Sequence, residues 1–418
     1  MRRSVITVAF GTLVGVAACG PVERASAPPL TLAVEPSPTA TGAAEPNLFT
    51  TADGRVLMSW LEPTADGAHA LRLAVRGADG AWSAPSDVVR RRDLFVNWAD
   101  FPSVVALSDG RFLAHWLQRS GSGRYAYDVR LAESRDGGAT WKTSVQPHRG
   151  GIPAEHGFVS ILPDRDGGAS IFFLDGSAGV GDTPAPAGHD HGPGPMHLSV
   201  NAWGAAIADS TKRILDTRVC DCCQTAAAMT ARGPVVVYRD RSDTEVRDIS
   251  ILRQVNGEWT APHAVHDDHW VINACPVNGP AIVADGERLA VAWFTGARDT
   301  AKVLLAFSTD AGTTFGAPIR IDEGTPAGRV GLQWLDEAVL VSWLERGGAD
   351  TAYVKVRRVM RDGTMEDPIV ISNSSGTRSS GFPRMTRLGD GVLLAWTLPG
   401  APGAPSAVQA ATLRTVAP

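Results

Sequence analysis

The chain has 418 residues, 44% hydrophobic and 20% charged, with a formal charge of -5. That near-neutral balance, with no basic stripe, excludes a nucleic-acid binder, and the length permits a large core. No apolar run beyond the N-terminus is long enough to span a bilayer, so a soluble body is expected.

The N-terminus opens Met1-Arg2-Arg3, runs through an apolar stretch from Ser4, and reaches Val16-Ala17-Ala18-Cys19-Gly20. A basic start, an apolar middle and small residues are the layout of an export signal. With a cysteine directly after the small residues, the stretch resembles a bacterial lipoprotein signal. The resemblance implies that residues 1–18 are a signal peptide and that Cys19 is lipidated and becomes the new N-terminus. It also implies a protein anchored in the bacterial envelope. Gly rather than Asp after Cys19 favours the outer membrane, facing the periplasm or the cell surface. More than one acyl chain on Cys19 makes such anchoring stable. Residues 19–45, rich in Pro, Ala, Ser and Thr, read as the lipidated cysteine and a flexible tether.

From Pro46 a unit of four short strands repeats. Its second strand aligns best: Val56-Leu57-Met58-Ser59-Trp60, Phe112 to Trp116, Ala169 to Phe173, Pro234 to Tyr238, Leu289 to Trp293, Val339 to Trp343 and Val392 to Trp396. The terminal aromatics lie 50 to 65 residues apart, and that period predicts an all-β fold, a β-propeller over 46–418. Seven such ends predict seven blades. The last unit has room only for a third strand at Val408 to Leu413, so Leu30 to Val34 is expected to supply its fourth and close the ring. A six-bladed ring with an irregular third unit is the alternative.

Two turns set the rhythm: Ser134-Arg135-Asp136-Gly137-Gly138-Ala139-Thr140-Trp141 and Ser308-Thr309-Asp310-Ala311-Gly312-Thr313-Thr314-Phe315. Asp accepts bonds from turn amides, Gly takes the awkward backbone angles, and the aromatic plugs the sheet. Weaker echoes end at Trp82 and Trp259. Both full copies resemble the Asp-box, or BNR, repeat of the sialidase superfamily. The resemblance implies a propeller, for which sialidase catalytic domains use six blades. It also implies a sugar carboxylate gripped by three arginines, an acidic general acid and a Tyr–Glu nucleophile. If these turns join strands three and four, the loops from strand two to three and from blade to blade emerge on the opposite face, where propeller sites sit.

On that face the alignment puts Arg119, Arg241 and Arg346 three residues after the strand-two aromatic, and Glu62, Asp175, Asp240 and Glu345 two residues after it. With Arg239, these arginines form a candidate binding set for an acidic glycan, since guanidinium grips carboxylate in a fork. Asp240, Glu245 and Asp248 are the candidate acids or bases, and Trp98 and Trp270 the candidate stacking surfaces. Phe95 to Asp100 and Glu155-His156 fall on the same face. No F/Y-R-I-P motif stands near the first blade, and none of the four tyrosines is assigned as nucleophile.

Cys220, Cys222 and Cys223 fall between blades three and four, and Cys275 at the next junction. In an exported protein they predict a disulfide from Cys275 to Cys220, Cys222 or Cys223. The alternative is a copper or zinc site, or a redox-linked one, built from these cysteines with His189, His191, His197 and His269. A third reading is a non-catalytic scaffold for another envelope protein, and under each reading a monomer is expected.

Overall fold

The structure, a computed structural model, describes residues 28–179, 195–204, 207, 211–348 and 350–416. It is a seven-bladed β-propeller, and each blade is one antiparallel sheet. Blade one comprises Ala44–Thr50, Val56–Pro63, His69–Arg76 and Ser86–Arg91; blade two comprises Ser103–Ala106, Phe112–Arg119 and Tyr127–Ser134. Blade three follows with His156–Pro163, Ala169–Asp175, Met196–Trp203 and Arg213–Val219. Blade four has Ala226–Thr230, Gly233–Arg239 and Ile249–Val255, with Glu258–Trp259 and His263–Ala264 sharing its outer edge. Blade five is Ala281–Asp285, Arg288–Thr295, Lys302–Ser308 and Ile319–Arg320, and blade six is Pro326–Leu335, Ala338–Arg346, Thr351–Met360 and Ile369–Ser375. Blade seven takes Arg384–Leu388, Gly391–Leu398 and Ala407–Thr415, and its outer strand is Leu30–Glu35, paired antiparallel from Leu30↔Thr415 to Glu35↔Ala410. The ring therefore closes through an N-terminal strand, as the short last unit requires.

The core lies between blades. Seven apolar clusters among the described residues each join two neighbours, as when Leu57, Leu71 and Leu73 of blade one meet Val104, Phe112 and Trp116 of blade two. Each second strand is covered on both faces, so it reads as an unbroken apolar run rather than an alternating one. Its terminal aromatic is buried, and in four of the seven blades that ring's polar atom is satisfied. Trp60, Trp293 and Trp343 donate from Nε1 to Glu62 (2.9 Å), Asp268 (2.7 Å) and Glu345 (2.7 Å), and Tyr238 donates to Asp216.

The two long turns have the same geometry. Asp136 Oδ1 accepts from Ser134 Oγ (2.8 Å) and the Thr140 amide (2.9 Å); Asp310 Oδ1 accepts from Ser308 Oγ (2.8 Å) and the Thr314 amide (2.9 Å). Gly138 and Gly312 have φ of +92° and +79°, and a Cβ there would lie 2.6 Å from Leu73 or 2.7 Å from Ile251, both in the preceding blade. Glycine thus serves the turn and the blade contact at once. Among the described residues no helix is long and apolar enough to cross a membrane.

Candidate functional site

All seven inner strands line a central cavity of about 230 Å³, with Asn47, Ser103, Ser160, Thr225 and Arg384 among its walls. Its mouth on the face opposite the long turns is built by the segments that enter the inner strands. Four non-glycine residues there hold left-handed backbone: Glu45 (φ 56°), Phe158 (53°), Val277 (49°) and Arg329 (56°). Each such residue costs on the order of 1 kcal/mol, and this kind of cost concentrates at functional sites.

On one side of the mouth two guanidinium groups lie against Trp98, and a third, that of Arg346, is near enough to Arg329 to act on its charge. Arg329 Cζ lies 4.8 Å from the indole centroid and Arg378 Cζ 6.0 Å, while Phe382 stacks on Trp98 at 6.0 Å. Arg329 is buried and donates to the Gly381 and Thr377 carbonyls and to Ser380. Burial brings its pKa down to about 10, with the charges of Arg346 and Arg378 adding to the effect and nearby Glu45 opposing it. Glu45 is itself pushed well up by burial. Arg346 and Arg378 are exposed, and among the described residues neither has an ion pair. Inside the channel, Arg384 packs its guanidinium 5.1 Å from the Phe101 centroid, and burial lowers it to about 10.

A second group spans two junctions. Tyr127 Oη lies 2.9 Å from both Asp100 Oδ2 and Glu155 Oε1, and Asp100 Oδ1 accepts from the Phe158 amide at 2.8 Å. A Cβ on Gly157 would sit 1.9 Å from Asp100 Oδ2, so only glycine fits there. One phenolic hydrogen cannot satisfy two carboxylates, so one acid must donate back. Asp100 takes that role, because burial pushes it up to about 8 and keeps it protonated at neutral pH. Tyr127 is buried, with Phe95 stacked on its ring at 4.0 Å.

The remaining arginines face other partners. Arg239 is buried, and it donates to the carbonyls of Asn278 (2.9 Å), Arg247 (2.6 Å) and Phe294 (2.7 Å) while covering Trp270 at 4.8 Å. It is a strut between blades four and five, and Trp270 is buried beneath it. Arg241 pairs with Asp221 (2.9 Å) and Glu245 (2.8 Å), and Arg119 lies 5.2 Å from the Phe95 ring. The regular spacing of Arg119, Arg241 and Arg346 thus does not give them a common target. Glu245 is held below its usual range by Arg241 and Arg247 despite partial burial. Asp240 accepts from Ser250 and Asp248 from the His269 and Trp270 amides, and both are raised, chiefly by burial.

The cysteines do assemble. Cys220, Cys222 and Cys223 are buried with all three Sγ atoms within 4.8 Å of one another, Cys220 lying 3.9 Å from Cys222 and 2.8 Å from Cys223. Cys275 is exposed and hydrogen-bonds Cys222. All four are thiols, and the tightest pair is Cys220–Cys223 rather than one with Cys275. Although burial opposes it, hydrogen bonds from Cys222 and Cys223 and the charge of Arg247 hold Cys220 well below its usual value. His189 and His191 lie outside the described residues, as does Cys19. His197, on a blade-three strand, and exposed His269 join no donor group with the thiols. A second cluster, Asp128, His148 and His156, is buried and its rings are engaged. His148 accepts from the Val129 amide and meets the Arg149 carbonyl, while His156 meets the Tyr127 carbonyl and Ser177.

The sequence reading missed Arg329, Arg378 and Arg384 because it aligned second strands. A signal was present in the segments that open the inner strands: Asp100-Phe101-Pro102, Asn278-Gly279-Pro280 and Gly381-Phe382-Pro383-Arg384 form a second repeat.

The sheets and their closed ring define the class: a seven-bladed β-propeller. No family model and no curated protein matches the chain by sequence. Among solved structures it is similar to the phage phi92 endosialidase, at 12% identity over 94% of this chain and 70% of that one, with a TM-score of 0.50. It is also similar to a K499G mutant of the NanB sialidase from Streptococcus pneumoniae (14% identity, 90% and 69% covered, TM-score 0.47). A third is the GH93 alpha-L-arabinofuranosidase of Fusarium graminearum (13% identity, 89% and 93% covered, TM-score 0.46).

Proposed function

We propose that the channel mouth binds an acidic glycan, with Arg346 and Arg378 gripping a sugar carboxylate beside Trp98. The observation that carries this reading is the gathering of Arg329, Arg346 and Arg378 at one place, with no carboxylate among the described residues paired to the two exposed ones. Like charges held together favour an anion between them. Half-buried Trp98 adds a flat apolar surface for a sugar ring. The reading is one of binding; Tyr127, the tyrosine paired with a glutamate, is buried under Phe95. In this proposal Cys19 anchors the propeller in the bacterial envelope, on the outer membrane.

The test is calorimetric titration of sialylated and uronate-containing oligosaccharides against the wild type and the R346A/R378A double variant. Losing two charge-assisted contacts of roughly 1.5–3 kcal/mol each is expected to weaken binding by at least ~100-fold. Neutral oligosaccharides should show no such dependence. Equal affinity of the two proteins for acidic sugars would sink the proposal.

A further inference from the structure

The thiol cluster takes no part in the glycan reading and stands on separate observations. We propose that Cys220, Cys222 and Cys223, with Cys275 as fourth donor, bind one soft closed-shell cation, Cu(I) or Zn(II), through their sulfurs.

The donor set is the first ground. Three buried sulfurs within 4.8 Å of one another can reach a single ion. The Cys220–Cys222 separation of 3.9 Å matches the ~3.8 Å edge of a sulfur tetrahedron whose metal–sulfur bonds are ~2.3 Å. Cys223, at 2.8 Å from Cys220, moves outward by ~1 Å on binding, within reach of a small side-chain rotation. Exposed Cys275 arrives from the next junction against Cys222 and closes the open side. No histidine joins the group among the described residues, and an all-sulfur set selects a soft ion over a hard one.

The surroundings are the second ground. Three thiolates around a monovalent ion, or four around a divalent one, leave two net negative charges, which a buried site must offset. Two buried guanidinium groups are fixed beside the sulfurs. Arg247 donates to Cys220 Sγ at 3.5 Å and is held by Glu245 at 2.8 Å, and Arg239 is held by three carbonyls. The backbone is anchored as well. The Cys220 amide donates to the Arg239 carbonyl at 3.0 Å, and Gln224 bridges the Ala99 carbonyl (2.6 Å) before blade two and the Gly279 amide (3.0 Å) before blade five. Binding is an exchange of protons for metal: each thiol still protonated releases its proton to solvent as its metal–sulfur bond forms, and no electrons move.

The experiment uses the full chain, reduced and then freed of reductant without chelator, and loaded with Zn(II) or with Cu(I) under anaerobic conditions. Metal is counted by mass spectrometry after desalting, and free thiols by alkylation. One ion per chain with Cys220, Cys222 and Cys223 protected is the expected result. Competition with a chromophoric chelator specific for each ion then ranks the two. Cys222→Ser should lose the ion. Cys275→Ser, at an exposed position that leaves the fold intact, should weaken binding at least ~10-fold; Arg247→Ala, which removes a positioning contact to Cys220, should weaken it ~10–100-fold. Thiols that stay fully reactive beside stoichiometric cation would overturn the proposal. So would peptide mapping that finds Cys220–Cys223 and Cys222–Cys275 disulfides in the protein as isolated from an oxidising compartment.

Discussion

Replacing Asp100 by Asn tests the chain of hydrogen bonds from Asp100 through Tyr127 to Glu155. The neutral acid donates from Oδ2 to Tyr127 Oη, which leaves the phenolic hydrogen for Glu155; Asn offers an amide hydrogen in the same place and keeps Oδ1 for the Phe158 amide. The folded protein holds the Asp100 proton up to about pH 8, whereas an unfolded chain releases it near ~3.9. Because the folded pKa is the higher one, this proton stabilises the fold fully at low pH, and the benefit is lost as pH rises through about 8. The interval corresponds to an upper bound of roughly 6 kcal/mol, and a few kcal/mol is the expected size once the site relaxes. Urea unfolding of both proteins at pH 5, 7 and 9 reads this out, with buffers of matched ionic strength at about these values. Near pH 5 the two should agree within ~1 kcal/mol, and near pH 9 Asp100→Asn should be the more stable by a few kcal/mol. A variant destabilised equally at every pH would refute the assignment of the proton to Asp100.

Two further substitutions probe the frame. Gly138→Ala places a Cβ 2.6 Å from Leu73 Cδ2 at a φ of +92°; it should cost ~2–3 kcal/mol in urea unfolding, more than the ~1 kcal/mol of backbone strain alone, and Leu73→Ala in the same chain should recover part of the excess. Trp343→Phe removes the 2.7 Å bond to Glu345 Oε2 inside blade six and should cost ~1–3 kcal/mol. Adding Glu345→Gln should return some of that loss, because a neutral amide is cheaper to leave unpaired than a charge.

Everything that repeats locally is legible in the amino-acid chain. Second strands such as Val339 to Trp343 are apolar at every position because a blade lies on each side. The turns at Asp136 and Asp310 bond within five residues of chain, so their geometry is written in the motif. Seven aromatic ends gave the blade count, and the short last unit required Leu30–Glu35 as its fourth strand. Tertiary structure decided which charges are available. Arg239 lies in the same part of its blade as Arg241, yet it turns inward to three carbonyls, one of its own blade and two that packing against blade five brings to it. Arg329 and Arg378 carry no register with the second strands, and they meet Trp98 only because loops from blades one, six and seven converge over the channel. The same holds for Asp100, Tyr127 and Glu155, and for Cys275 against Cys222. A hydrogen bond across a junction depends on the angle at which blades pack, and that angle is a property of the whole ring rather than of any segment.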